Sequence, residues 1–290
     1  MKVIPANPRG YCHGVVTALR MAREIVAAEP GPVHMLGYLV HNEHLTGELE
    51  ELGITLIDAD DRMAGLEGIT GGTVIFTAHG ISPAVRARAE ELGLNCVDTT
   101  CSDVQKTHDL INDLVGDGYQ IIYVGRRGHP EAIGCVGEAP DAVHLVEDAQ
   151  DVAALDLDAR PVAVTTQTTL SVWDTASVIR WIKDRFPTAE IFNEICAATQ
   201  DRQEAIVEVA AEADLVLVVG SRRSSNSQRL VEVTRQRTGK PAYLIDSVAE
   251  IDDAWFDGCK VVAVSSGAST PSLLTRDVIR QLEAMPAPAD

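Results

Sequence analysis

Five short apolar runs punctuate the chain: TVIFTA (residues 73–78), QIIYVG (120–125), PVAVTT (161–166), DLVLVVG (214–220) and KVVAVSSG (260–267). Their length and β-branched content mark buried strands. The stretches between them carry helical periodicity, over 14–28, 83–92, 103–114, 171–186, 197–213, 226–237 and 271–284. Strand then helix, repeated, excludes hairpins. It requires crossover connections, parallel strands and a cover of helices on both sheet faces. The expected class is therefore α/β with mostly parallel sheets.

A faint internal repeat refines this. TVIFTAHGISPAVRARAEELGLNCVD, QIIYVGRRGHPEAIGCVGEAPDAVHLVED and LVLVVGSRRSSNSQRLVEVTRQRTGKPAYLID each run apolar strand, polar loop, helical segment, second strand and acidic end. Three similar α/β units are the economical account. They are expected over 14–100, 101–195 and 196–290, the last completed by an N-terminal strand within 1–13. Ligands of open parallel sheets bind beyond the carboxyl ends of the strands, which directs attention to the loops AHG, GRRGHPE and GSRRSSNS.

Composition removes several function classes. The 46% apolar content of the 290 residues is that of a globular protein. The apolar runs are strand-sized and MKVIPANPRG has no apolar signal core, so no membrane span or export is expected and the location is taken as cytoplasmic. A net charge of −19 without a Lys/Arg stripe gives nucleic acid no footprint, and no nucleic-acid module is expected after Asp290. In a reducing compartment the six cysteines are core filler, metal ligands or reactive thiols rather than a disulfide framework.

The cysteines divide by position. Cys96 and Cys259 sit in or at the start of apolar strands, where cysteine behaves as a small hydrophobe. Cys12, between Gly10 and Gly14, lies at a strand-to-helix junction, as do Cys101 and Cys196. If these three converge, three thiolates without an obvious fourth suit an iron–sulfur cluster with one open iron position; zinc with three thiolates is the alternative. His41, His79 and His129 stand at strand ends, with Glu131 two residues beyond His129. Ser224, Ser225 and Asn226 exceed what one helix cap needs, and GAST (267–270) forms a second loop of this kind; both suit an anion. No GxxxxGK[ST] run is present, which disfavours a P-loop enzyme. A thiol- or zinc-dependent hydrolase and a non-catalytic anion-binding protein remain open on these residues alone.

Together the motifs PRGYC, VHN, TAHG, DTTC, GHPE, TQTT, EICAATQDRQEA, SSNS and GAS, spread over nearly the whole chain, closely resemble the IspH/LytB family of reductases. The resemblance implies a trefoil of three α/β units around a [4Fe-4S] cluster held by Cys12, Cys101 and Cys196. It implies reductive removal of an allylic hydroxyl from 4-hydroxy-3-methylbut-2-enyl diphosphate, giving isopentenyl and dimethylallyl diphosphates, the last step of the non-mevalonate isoprenoid pathway. By the family's roles, Glu131 and Thr168 position or protonate the leaving hydroxyl. His41, His79, His129, Ser224, Ser225, Asn226 and Ser269 line the diphosphate pocket. A ferredoxin or flavodoxin is the implied electron donor, in keeping with the absence of a dinucleotide fingerprint. The chain departs from the usual pattern in having Ser102 after Cys101, where members read proline, and in carrying a thiol at Cys135.

Overall fold

The computed structural model describes residues 1–59 and 61–285; the tail 286–290 of the third expected unit lies outside the described residues. The chain opens with β1 (Lys2–Pro5), α1 (His13–Ala28), β2 (Val33–Leu36), α2 (Glu43–Glu51), β3 (Ile54–Ile57), α3 (Arg62–Leu66), β4 (Thr73–Phe76), α4 (Pro83–Glu91) and β5 (Asn95–Asp98). It continues through α5 (Ser102–Gly116), β6 (Gln120–Val124), α6 (Pro130–Val136), β7 (Val143–Val146), α7 (Ala149–Ala154), β8 (Val162–Thr166), α8 (Val172–Arg185) and β9 (Glu190–Ile191). The remainder is α9 (Ala197–Ala210), β10 (Leu215–Val219), α10 (Ser225–Thr238), β11 (Ala242–Ile245), two short 3-10 turns, β12 (Val261–Ser266) and α11 (Ser272–Ala284).

These strands build three four-stranded sheets, ordered β3-β2-β4-β5, β7-β6-β8-β9 and β11-β10-β12-β1. Every strand pairing among the described residues is parallel, as the strand-helix alternation requires. The five apolar runs became β4, β6, β8, β10 and β12, all interior strands. Each anticipated repeat folds as strand, helix, adjacent parallel strand: β4-α4-β5, β6-α6-β7 and β10-α10-β11.

The sheet orders share one property. Each sheet has two central strands, and the chain leaves the first toward one edge and returns to form the second. The gap between the central pair is thus a topological switch point, where the loops after the two strands diverge and leave a crevice. It lies between β2 and β4, between β6 and β8, and between β10 and β12. The fourth strand, beside the second central one, is β5, β9 or β1, and Cys101, Cys196 or Cys12 follows it directly before α5, α9 or α1.

The described residues form two compact units. One comprises Met1–His13, His41–Leu45 and the chain from Cys196 onward; the other comprises Gly14–Val40 and Thr46–Ile195. In the first, aliphatic residues of β10 and β12 pack with Val278 and Leu282 of α11 on one face and with Ile206, Ala210 and Leu230 of α9 and α10 on the other. In the second, Val74 and Phe76 of β4 pack on Val85 and Ala89 of α4. There too, β6 and β8 are covered by α8 on one face and by α5 and α6 on the other. No helix among the described residues is long and apolar enough to cross a membrane.

The loop after β4 shows how tightly such a crevice is set. Gly80 has φ +78°, and a Cβ there would stand 2.8 Å from His108 Nε2 on α5. Left-handed backbone and an imidazole held by Glu138 leave no easy relief. Gly80→Ala should cost about 1–3 kcal/mol, read as a lower urea midpoint with an unchanged m-value; an unchanged midpoint would show that the loop gives way.

Candidate active site

The β6/β8 switch point brings Glu131 and Thr168 together. Gly128, at φ +79°, turns the chain after β6, and His129 becomes the N-cap of α6, its Nδ1 accepting from Glu131 N at 3.2 Å. Pro130 follows at the first helical position, where its missing N–H costs nothing. With the cap supplied by His129, the Glu131 side chain is released to cross the crevice. Its Oε1 accepts from Thr168 N at 2.6 Å and its Oε2 from Thr168 Oγ1 at 3.0 Å. Gln167 fixes this loop by accepting from Arg126 N and donating to Thr169 Oγ1.

Glu131 is 1% exposed. Burial raises its carboxyl pKa from 4.5 to about 7, against the opposing pull of the two Thr168 bonds and of His108. His108 is itself buried and joined to Glu138 at 2.5 Å, and Asn112 donates to the other Glu138 oxygen at 2.8 Å. Behind Glu131 lie Tyr123 and Cys135, both buried, whose hydroxyl and thiol are pushed up by burial and stay neutral. A carboxyl group in this setting is an acid near neutrality.

His79, in the loop after β4, meets His129 edge-to-face with ring centroids 5.6 Å apart, and its Nδ1 lies 3.3 Å from Thr77 Oγ1. Cys101 is the half-buried N-cap of α5. Its backbone N donates to Ala78 O at 3.1 Å, so the thiol-bearing junction is tied to the His79 loop. This unit therefore unites Glu131 with Thr168, His129 with His79, and the Cys101 backbone with that same loop.

The β10/β12 switch point organises the hydroxyl-rich loops of the other unit. Ser224 caps α10, its Oγ accepting from Ser227 N. Ser269 Oγ lies 3.5 Å from Ser224 Oγ and donates to His41 O at 3.2 Å. Asn226 is buried and bonded at both ends: Oδ1 accepts from Ala268 N at 3.0 Å, and Nδ2 donates to Thr199 Oγ1 at 3.4 Å. Ser225 is buried in the first turn of α10. Gly220 and Gly267 are held bare, since a Cβ on either would lie within 2.3 Å of Ser227 Oγ.

The same unit holds Cys12 and Cys196. Cys12 N donates to Ala268 O at 3.0 Å, and Cys196 is the N-cap of α9, with Sγ 3.1 Å from Thr199 Oγ1. Both are half-buried and none of the six cysteines is in a disulfide. Cys135 and Cys259 are core residues. Neither Cys101 nor Cys196 spends its thiol capping its helix, and soft donors of this kind can hold a thiophilic metal.

Sequence reasoning missed Arg202, Thr199, His108 and Glu138. Thr199, Arg202, Gln203 and Ile206 fall three, six, seven and ten residues after Cys196 on one stripe of α9; three of the four are polar, and only the fold shows that all four are buried. His108 and Glu138 lie 30 residues apart and meet only in the fold.

Similarity to known proteins follows the same outline. The profile of the LytB protein family matches residues 3–283. The 4-hydroxy-3-methylbut-2-enyl diphosphate reductase of Symbiobacterium thermophilum is 54% identical over 286 residues, covering 98% of this chain and 97% of that protein. The corresponding reductase of Brevibacillus brevis is 50% identical over 98% of this chain and 92% of its own length. Among solved structures, the E-1-hydroxy-2-methyl-but-2-enyl-4-diphosphate reductase of Plasmodium falciparum has a TM-score of 0.92 at 33% identity, covering 98% of this chain and 89% of that one. A second, described as (E)-4-hydroxy-3-methyl-but-2-enyl diphosphate reductase, the terminal enzyme of the non-mevalonate pathway, has a TM-score of 0.68 at 30% identity, covering 98% and 100%. A chain matched by that profile from its third residue to its 283rd, and half or more identical to these reductases over nearly its whole length, belongs to the LytB family.

Proposed function

We propose that the chain is a 4-hydroxy-3-methylbut-2-enyl diphosphate reductase, which removes the allylic hydroxyl of its substrate and releases isopentenyl and dimethylallyl diphosphates. The observation that carries the chemistry is Glu131, a buried carboxyl clamped at a switch point by Thr168 and protonated to about pH 7. Anaerobic turnover with that diphosphate and a reduced one-electron mediator, followed by product analysis, tests the assignment; release of free diphosphate without a reduced hydrocarbon would identify a hydrolase instead.

Cys12, Cys101 and Cys196 are proposed as ligands of a [4Fe-4S] cluster. Two observations favour such a group: the equivalent place of each cysteine after the fourth strand of its sheet, and the buried guanidinium of Arg202, bonded to the backbone of both the Cys12 and the Cys196 loops. A bound cluster supplies electrons one at a time together with Lewis acidity at iron. The electron donor is proposed to be a ferredoxin or flavodoxin, and the residues are proposed to act in a soluble, cytoplasmic setting. The three sheets are taken as the cores of three units, at 14–100, 101–195 and 196–290 with 1–13.

The chain's own contribution is binding and proton delivery. His41, His79, His129, Ser224, Ser225, Asn226 and Ser269 are proposed to receive the diphosphate, for which imidazole, hydroxyl and amide donors with the N-terminus of α10 are suited. Hydroxide is a poor leaving group and departs as water when a proton reaches it. Glu131 holds that proton on a carboxyl oxygen, and Thr168 Oγ1, bonded to Oε2, passes it on by donating its own hydrogen to the substrate as it accepts the one from Glu131. The backbone N of Thr168 stabilises the carboxylate left behind. Burial of Glu131, Thr168 and Gln167 keeps water from competing for the proton.

Three outcomes are expected. Replacing Cys12, Cys101 or Cys196 by Ser should lower the iron and sulfide content of anaerobically purified protein, since a hydroxyl does not supply a thiolate, whereas Ser at Cys96, Cys135 or Cys259 should leave it intact; equal loss in both groups would remove the ligand assignment. Mediator-free NADPH should give no turnover, and reduction by it directly would displace the one-electron donor. The folded pKa of Glu131, about 7, lies above its unfolded value of 4.5, so the proton is in place below about pH 7 and leaves as pH rises through it. kcat/KM should decline on that basic limb, and the stability contributed by the neutral form, fully present below the unfolded value, should fade over the same rise. Glu131→Gln should remove the limb and lower turnover about 10²- to 10⁴-fold at matched iron content; near-normal turnover would transfer the acid role elsewhere.

A further inference from the structure

Arg202 is the most unusual buried charge in the unit that holds Cys12 and Cys196. It is 3% exposed, on the second turn of α9. One terminal nitrogen donates to Ala198 O at 2.6 Å, two residues beyond Cys196, and the other donates to Gly10 O at 2.7 Å, two residues before Cys12. The buried Nε has no partner, and no carboxylate is hydrogen-bonded to the group among the described residues. Burial works against its charge, which Cys12, Cys196 and Asp201 favour in that order.

Such a group is costly. A guanidinium out of water without a carboxylate needs another anion nearby, and only the two ends of its rigid fork reach both carbonyl acceptors at once. The acceptors it does use are informative, because they belong to the two loops that carry the cysteines. The Gly10 backbone is fixed on its other side as well: its N donates to Ser266 Oγ at 2.8 Å, its φ is +78°, and a Cβ there would stand 2.8 Å from Ser272 Oγ. Arg202 therefore spans 192 residues of sequence to join the Cys12 loop to the first turn of α9.

We propose that Arg202 is a positioning residue for the iron–sulfur group, a strap between the Cys12 and Cys196 loops whose positive charge balances the two sulfur ligands. The proposal rests on the cluster assignment made above for those cysteines. A fixed cation beside the ligands favours the reduced, more negative state, so its loss makes reduction harder; loss of the strap loosens the loops whether or not a metal is present.

The test compares wild type, Arg202→Gln and Arg202→Lys. In anaerobically reconstituted protein, Arg202→Gln should disfavour reduction of the cluster by about tenfold in equilibrium, which is about 59 mV for a one-electron couple. It should also lose iron to a chelator about tenfold faster, in line with loss of a group that orients ligands. Arg202→Lys should keep the potential within about twofold, because it keeps the charge, yet lose iron faster, because one ammonium does not replace a fork. Wild-type potential and iron loss in Arg202→Gln would overturn the proposal. If that variant takes up no cluster, Arg202→Lys decides: iron loss at the wild-type rate overturns the strap, and a potential shifted by the full tenfold overturns the charge role.

Hydrogen exchange on the metal-free proteins separates this proposal from the cluster assignment. The Cys12 amide, bonded to Ala268 O, should exchange at least about tenfold faster in Arg202→Gln than in wild type. Unchanged exchange sinks the strap on its own. Wild-type protein that binds no iron or sulfide would instead sink the ligand assignment, while the exchange result still decides the strap.

Discussion

Parallel pairing with the chain reversing its direction of growth at the centre of each sheet is the constraint on which the rest depends. It opens a crevice between β6 and β8, which is why a carboxyl from one loop and a hydroxyl from another, 37 residues apart, come within hydrogen-bond distance. It opens another between β10 and β12, where Ser224 and Asn226 meet the Ala268–Ser269 loop. The outer strand beside each second central strand then delivers a cysteine to a helix start. A buried carboxyl, a hydroxyl-rich loop pair and the junction cysteines are thus placed by a single topological rule repeated three times.

Two buried ionisable groups show how the protein handles charge inside a chain of net charge −19. Glu131 has no cation bonded to it, so burial favours its neutral form and holds its proton to about pH 7. Arg202 retains its charge despite burial, since nothing in its surroundings can take its proton at ordinary pH. One site stores a proton by refusing charge; the other concentrates charge by refusing to lose a proton.

Most of the architecture was legible because β4, β6, β8, β10 and β12 are uninterrupted apolar runs and helices such as α1, α5 and α11 carry apolar residues at helical spacing. Two short strands were harder. β2 (VHML), although central, has four residues with a histidine among them, and β9 is two residues long, so neither length nor alternation distinguishes them from loop. The α9 helix was expected to reach Ala213 and stops at Ala210; Asp214 accepts from Lys260 N and Val261 N, and that anchor turns the chain into β10. Of the candidate site, Glu131 and Thr168 stood out by motif, whereas the capping role of His129 did not, because which of two neighbouring side chains caps α6 is decided by the turn at Gly128. Arg202 escaped notice for a plainer reason: a polar residue on a helix reads as solvent-facing until the element that covers it is known.

The pairing of β1 with β12 has a consequence for how the molecule is made. Lys2 to Pro5 align with Val261 to Val264, so β1 has no neighbour in its sheet until about 255 further residues have been made. Domains assembled from contiguous segments form in order of synthesis, and the unit built around β6 and β8 can do so. The Cys12 loop cannot: its tether to Arg202, its bond to Ala268 and the sheet beneath it all await the carboxyl-terminal third. Cys12 is therefore translated well before the partners that set its loop, and its final surroundings form only once that third is made.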